Sequence, residues 1–366
     1  MVTPSGPPAG AAAGADSGTR AGSGQAQPGA PGAPATGTGP LLEIRDLTLS
    51  FQTRYGLVQA LNGVSLTVGH RERVGVVGES GSGKSVTAQA VLGLVPAAEV
   101  SGEIYFDGED LLKVSPARLR QVRGREIGYI FQDPLSALDP VRTIGDQISE
   151  TLRIRGVRKA EAWRRSTDML RRVGIRDAQH RMDDYPHQFS GGMRQRVMIA
   201  MALVAEPRLV VADEPTTALD VRIQAQVLDL LLELAEERSL SILFITHDLG
   251  VVSGFAERVV VMYAGRVLEE GPTDELFYRS IHPYTLGLLE SLPRIDGEIP
   301  SRLTTIGGKP PSPADMPPGC AFHPRCRYAL PVCAEEVPPL MRPEGGSHAS
   351  ACHRAGWLAE QPGVLR

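Results

Sequence analysis

The sequence predicts an α/β fold built around a largely parallel sheet, and three observations carry that prediction. Four apolar runs, at 74–77, 209–212, 242–246 and 259–262, lack polar alternation, as expected of strands covered on both faces. Stretches rich in Arg, Glu, Leu and Ala, such as 223–237, separate them, and strands alternating with helices build a parallel sheet. The first apolar run leads straight into a glycine-rich loop, Gly78-Glu79-Ser80-Gly81-Ser82-Gly83-Lys84-Ser85, in the strand-to-helix setting that phosphate-binding folds use.

Taken in order, residues 1–40 are almost wholly Gly, Ala, Pro, Ser, Thr and Gln, with no aromatic and one Arg. Such a tract has too little apolar surface to offset chain entropy and reads as a disordered tail. It also lacks the continuous apolar segment of a secretory signal, so the chain is expected to stay in the cytoplasm. Structure should begin at Leu41, where apolar residues alternate through 49 as in a half-buried strand; 64–68 repeats the period. A helix is expected over 86–94. An Arg-rich helical insert spans roughly 144–181, within a helical subdomain of about 133–198. After Gly271 the chain turns Pro-rich and carries all its cysteines, which predicts a separate module over 272–366.

At 366 residues there is room for two domains. Apolar residues make up 42% and charged residues 22%, as in ordinary globular proteins, and no run reaches the ~18 apolar residues of a membrane helix. A formal charge of -4 gives no electrostatic reason to expect nucleic acid as a partner. Membrane contact should run through other proteins.

The glycine-rich loop has the Walker A pattern. Its glycines let backbone N–H groups converge on phosphate without Cβ atoms intervening, and the following helix adds positive partial charge. Gly78, Ser80, Gly81, Ser82, Gly83, Lys84, Ser85 and Val86 are thus expected to hold ATP, with Lys84 on the β- and γ-phosphates and the Ser85 hydroxyl on Mg2+. Downstream, the run 209–212 delivers Asp213 and Glu214 to a strand end, where ligands sit in such sheets. Asp213 would support the metal shell and Glu214 polarise the attacking water. An Asp-Glu pair after a strand is commonplace alone; its order after the Walker A loop makes it informative.

Between these sites, Phe189-Ser190-Gly191-Gly192-Met193-Arg194-Gln195-Arg196 resembles the signature motif of ATP-binding-cassette (ABC) ATPases. Gln132 is similar to their Q-loop, Ala218-Leu219-Asp220 to the D-loop and His247 to the switch histidine, so the resemblance runs from Leu41 to Gly271. It implies a P-loop cassette with a RecA-like core, an antiparallel β-subdomain and a helical subdomain. It also implies that Ser190, Gly191, Gly192 and Met193 close on ATP held by a second cassette, a related ATPase or an identical copy. Gln132 would sense the metal and attacking water, and His247 steady the γ-phosphate. Met193, where many cassettes carry Gln, resembles the form found in dipeptide and oligopeptide importers. Tyr55, with Phe51 as rival, is the candidate to stack on adenine.

Cys320, Cys326, Cys333 and Cys352 gather in one Pro-rich stretch. Disulfides are disfavoured in a reducing cytoplasm, which leaves metal ligation. Close C-x2-C pairs typical of zinc are missing, whereas four thiolates on a loop-rich scaffold can hold an iron–sulfur cluster. Three readings remain open: a [4Fe-4S] cluster, zinc assisted by His323 or His353, or unligated thiols. Pro318-Gly319-Cys320-Ala321-Phe322-His323-Pro324-Arg325-Cys326 and His282-Pro283-Tyr284-Thr285 resemble the C-terminal region of the dipeptide and oligopeptide (nickel) importer ATPases. That resemblance implies a peripheral protein at the cytoplasmic face of the membrane, two transmembrane permease subunits and an extracytoplasmic substrate-binding protein as partners, and peptides as cargo, with nickel or glutathione as alternatives. A soluble cassette in DNA repair or translation is the competing reading; the acidic balance and the missing basic strip near the cysteines stand against it.

Overall fold

The structure, a computed structural model, describes residues 39–54, 56–217, 219–292, 305–342 and 346–361. The tail expected over 1–40 lies outside them but for its last two residues. The chain opens with β1 (Leu42–Thr53) and β2 (Gly56–Val68), then β3 (Arg73–Val77), α1 (Lys84–Val91), β4 (Ala98–Phe106) and the short β5 (Glu109–Asp110). Strands β2, β1, β4 and β5 form an antiparallel sheet in that order. In β1 the buried positions step from Leu42 and Ile44 to Leu47 and Leu49. The odd step comes from a bulge, with the register shifting between Ile44 and Leu47 and Asp46 at φ 46°, which keeps the apolar set on one face.

Next come α2 (Pro116–Arg125), β6 (Ile127–Ile130), α3 (Pro134–Ala137), α4 (Ile144–Arg153), α5 (Lys159–Arg172), α6 (Ala178–Arg181), α7 (Gly191–Leu203), β7 (Leu209–Asp213), α8 (Val221–Arg238), β8 (Ser241–Thr246), α9 (Leu249–Ser253), β9 (Arg258–Tyr263) and β10 (Arg266–Pro272). The four unalternated apolar runs are β3, β7, β8 and β9, and they form with β6 a parallel array ordered β9-β3-β8-β7-β6. All residues of β7 and β8 are buried, as two-sided coverage requires. Helices α3 to α6 form the insert. α4 buries Ile144, Ile148 and Leu152 along one stripe, the spacing of an amphipathic helix.

The last elements are α10 (Thr273–Arg279), α11 (Pro283–Glu290), β11 (Ala349–Ser350) and α12 (Ala355–Ala359). They correct the expectation of a separately folded module. β11 pairs antiparallel with β10 and extends the main sheet, while Tyr284, Ala321, Phe322 and Ala351 share one core with Val77, Phe244 and Tyr263. Burial of polar groups drives the attachment. Glu269, fully buried in β10, accepts hydrogen bonds from Ile281 N at 2.6 Å and Ser280 Oγ at 2.9 Å, and pairs with His348 Nε2 at 2.8 Å. A carboxylate taken out of water without such partners would cost several kcal/mol, so the strand and the following segment need each other. Among the described residues no helix is long and apolar enough to cross a membrane.

Two tryptophans, Trp163 in α5, packed against this core, and Trp357 in α12, exposed beside Tyr328, report on the insert and on the carboxyl-terminal segment. Single-tryptophan variants are expected to unfold at one common urea midpoint, and Phe322→Ala to cost about 3–5 kcal/mol of stability and move both reporters' midpoints down together. Two separate midpoints would mean an independent module.

Candidate nucleotide site

The loop between β3 and α1 is shaped by positions that cannot carry a side chain. Gly78 lies at φ 155°, and a Cβ there would stand 2.1 Å from the Met262 carbonyl oxygen. Gly83 precedes α1 at φ 100°, so the helix starts without a side-chain cap and its first-turn N–H groups face outward from a positive helix end. Ser80 and Gly81 are exposed, Ser82 is buried, and Val86 packs into the core beneath the antiparallel sheet. Lys84 is buried and donates from Nζ to the carbonyls of Gly78 at 2.8 Å and Glu79 at 2.9 Å. Burial pushes its ammonium down from the usual lysine range, opposed by the charges of Glu214, Asp213 and Glu79.

Parallel register brings the carboxylates to this loop. Asp213 closes β7, Thr246 closes β8 and Ile130 closes β6, so the residues that follow converge at one edge. Ser85 Oγ donates to Asp213 Oδ1 at 2.7 Å, and Tyr129 OH donates to Asp213 Oδ2 at 2.9 Å. Burial raises the Asp213 carboxyl pKa, and these two hydrogen bonds pull it back down. Burial, then the Asp213 charge, likewise push the Tyr129 phenol up.

Glu214 sits one residue further in the left-handed region, φ 46°, a conformation that costs a non-glycine residue energy and clusters at functional sites. Its N–H still donates to Ile245 O at 2.9 Å. Its Oε2 receives Thr217 Oγ1 at 2.9 Å and Gln132 Nε2 at 3.1 Å, and contacts His247 Nδ1 at 3.1 Å. Three of the residues expected in the hydrolytic centre, Gln132, Glu214 and His247, therefore meet on one oxygen. Of the two expected magnesium ligands, Ser85 lies against Asp213, whereas the Gln132 amide turns to Glu214. Tyr129 and Thr217 were not anticipated. Their only sequence signals were a hydroxyl-bearing aromatic in the strand before Gln132, and a Thr three residues after Glu214. Tyr55 lies outside the described residues, and its rival Phe51 is a half-buried packing residue of the antiparallel sheet.

The signature stands at a helix start. α7 begins at Gly191, with Ser190 as its N-cap and Ser190 Oγ accepting from Met193 N at 3.4 Å. Ser190 and Gly191 are exposed and Met193 is half-buried. A Cβ on Gly192 would stand 2.8 Å from Ile223 Cγ2, so the glycine permits close packing on α8. Asp220 caps that helix, its Oδ1 accepting from Ile223 N at 2.9 Å; Ala218 of the expected D-loop is outside the described residues.

Cys320, Cys326, Cys333 and Cys352 are unlinked thiols lining one small cavity beside His282, Phe322 and Tyr328. Burial raises the pKa of Cys320, Cys326 and Cys352, helped by the neighbouring thiols, and pushes Cys352 up to about 12. Backbone N–H groups of Leu330 and Arg354 donate to Cys333 Sγ and Cys352 Sγ, both at 3.4 Å. Among the described residues no group of three or more His, Cys, Asp or Glu is placed so as to hold a metal ion. His323 Nδ1 and His353 Nε2 instead contact the carbonyls of Cys320 and Glu336.

Known proteins share this organisation. The ABC transporter family model matches residues 61–217, and the model for the oligopeptide/dipeptide transporter C-terminal region matches 268–333. A putative peptide import ATP-binding protein of Brucella abortus is 49% identical over 318 residues, 86% of this chain and 95% of that protein. The oligopeptide transport ATP-binding protein OppD of Bacillus subtilis is 49% identical over 306 residues, covering 82% and 86% of the two chains. Among solved structures, a dimeric ATP-binding cassette in a post-hydrolysis state bound to ADP and Pi matches 63% of this chain and 98% of its own, with TM-score 0.58 and 28% identity. CbiO1 from Clostridium perfringens, part of an ABC transporter complex, matches 65% and 90%, with TM-score 0.56 and 30% identity. With the cassette fold, the phosphate loop and the C-terminal region all accounted for, the chain belongs to the ATP-binding subunits of ABC transporters, in their oligopeptide/dipeptide class.

Proposed function

We propose that this chain hydrolyses ATP to drive the import of peptides, acting at the cytoplasmic face of a membrane beneath two permease subunits that an extracytoplasmic binding protein supplies. The observation that carries the hydrolytic part is the anchoring of Glu214. Its Oε2 is held by Gln132, Thr217 and His247, while Oε1 carries no hydrogen bond among the described residues. A carboxylate fixed through one oxygen can accept a water proton on the other, the role of a general base. Lys84 and the loop N–H groups hold the β- and γ-phosphates, and His247 steadies the γ-phosphate. Magnesium, when bound, neutralises phosphate charge, and Ser85 Oγ with Asp213 offers the hard oxygen donors that suit it. Exposure of Ser190 and Gly191 at a helix N-terminus fits an anion supplied by a second cassette, so the working unit is a pair of cassettes, this chain with a related ATPase or with its own copy. Peptide cargo follows from the C-terminal region and from the names of the relatives.

The four cysteines are proposed to hold a [4Fe-4S] cluster with a structural role. All four cysteines line one cavity, and four thiolates on a loop-rich scaffold suit a group that takes each at a separate corner. Burying four thiolates alone would be prohibitive, and a cluster supplies the compensating positive charge.

Three outcomes are expected. Glu214→Gln should keep MgATP binding while turnover falls by at least about 10²–10⁴-fold; near-normal turnover in the assembled transporter contradicts the assignment. In Tyr129→Phe the Asp213 carboxyl loses a hydrogen bond that favours its charged form, so its pKa rises further. The acid limb of the ATPase pH profile should move to higher pH, with the plateau little changed, and an unmoved limb removes Tyr129 from the site. Anaerobically purified protein should contain iron and acid-labile sulfide in equal amounts, lost on changing any one of the four cysteines to Ser; stoichiometric zinc without iron excludes the cluster.

A further inference from the structure

Glu79, the second residue of the phosphate loop, is where the carboxyl-terminal segment reaches the nucleotide site. The Arg325 guanidinium donates from Nη1 to Glu79 Oε2 at 2.7 Å and from Nη2 to Oε1 at 2.9 Å, a two-pronged pair closed across 246 residues. Its side chain is 5% exposed against 26% for Glu79. Arg325 is itself clamped: Nη1 also reaches Tyr263 OH at 3.2 Å, Nε donates to Gly307 O at 2.9 Å, and the guanidinium lies over the rings of Tyr263 and Phe322. The main chain of Glu79 is held separately, its N–H donating to Tyr284 OH at 2.9 Å. Tyr284 packs on Tyr263 and Phe322 with ring centroids 4.7 Å and 5.3 Å apart. Both the backbone and the side chain of one loop residue are thus fixed by the segment that follows β10.

We propose that Arg325 and Tyr284, acting through Glu79, are positioning residues for the phosphate loop, so that nucleotide affinity is coupled to the docking of the carboxyl-terminal segment. The proposal rests on the reading of this loop as an ATP site. A carboxylate beside polyphosphate repels it, and a half-buried one is weakly screened. Arg325 cancels that charge with fork geometry that Lys does not reproduce, while the Tyr284 hydroxyl fixes the direction of the peptide plane from which the loop's N–H groups fan out. Coupling between two sites is reciprocal. Nucleotide must therefore tighten the docking of the segment by the factor by which docking tightens nucleotide.

The test uses the full-length chain titrated with MgATP by calorimetry. Arg325→Gln and Tyr284→Phe should each weaken binding about tenfold, within the usual range of coupling energies, and in the assembled transporter should raise KM for ATP with kcat nearly unchanged. Adding Glu79→Gln to Arg325→Gln should recover most of the loss, because the uncancelled charge is gone. In the wild type MgATP should slow hydrogen exchange in residues 305–342, and Arg325→Gln should abolish that protection. Arg327→Gln, which breaks an exposed pair with Glu290 in the same segment, should do none of this. Should Arg325→Gln fail to fold, Arg325→Lys and Tyr284→Phe carry the same test through smaller changes. Unaltered ATP affinity in folded variants, or a loss that Glu79→Gln does not relieve, overturns the coupling. A wild-type chain that does not bind MgATP overturns the underlying ATP reading instead.

Discussion

The carboxyl-terminal ends of β3, β6, β7 and β8 share one edge of the parallel array, and the site depends on that constraint. Peptide dipoles and unpaired strand ends make this edge the place where polar side chains can gather without breaking a ladder. The phosphate loop leaves β3 there, Gln132 follows β6, Asp213 and Glu214 leave β7, and His247 follows β8. The bonds that tie them, Ser85 to Asp213 and Gln132, Thr217 and His247 to Glu214, are short because the strands are already in register. Strain at Glu214 is tolerated for the same reason: β7, which it leaves, and β8, whose Ile245 carbonyl accepts its N–H, are wholly buried and hold its backbone in place.

At the other end of the sheet the same economy of buried polar groups attaches the carboxyl-terminal segment. β10 would present an unpaired edge without β11, and edges of that kind invite unwanted pairing. Glu269 inside β10 requires donors, and Ser280, Ile281 and His348 supply them from the turn before α11 and the stretch before β11. Beside it, fully buried His282 is held neutral, its pKa lowered to about 4 by burial, and its Nδ1 accepts from Tyr284 N at the start of α11. Tyr284 in turn joins Tyr263 and Phe322 in an aromatic cluster that reaches the phosphate loop. Packing and polar satisfaction thus run continuously from the sheet edge, past the four thiols, to Glu79. A region that reads in sequence as an appendage is a supporting wall of the nucleotide site.

What the sequence by itself determined is everything whose cause is local. Short unalternated apolar runs separated by helical stretches fit two-sided strands, and they are β3, β7, β8 and β9. Glycines at 78 and 83 are dictated by backbone that no side chain allows, while Ser190 and Asp220, read from the sequence as signature and D-loop residues, prove also to be helix caps. Tertiary structure alone decided the rest. Tyr129 reaches Asp213 across 84 residues and Arg325 reaches Glu79 across 246; neither the strand before Gln132 nor the cysteine motif that holds Arg325 names these distant partners. The independence expected of the last hundred residues failed on the same ground. They are rich in proline and read as loop, but apolar residues among them, Phe322 and Ala351 included, are buried in a core contributed by the other strands. A short-range pattern specifies how a segment folds; which distant charge or ring completes it depends on how the sheet brings separate segments together.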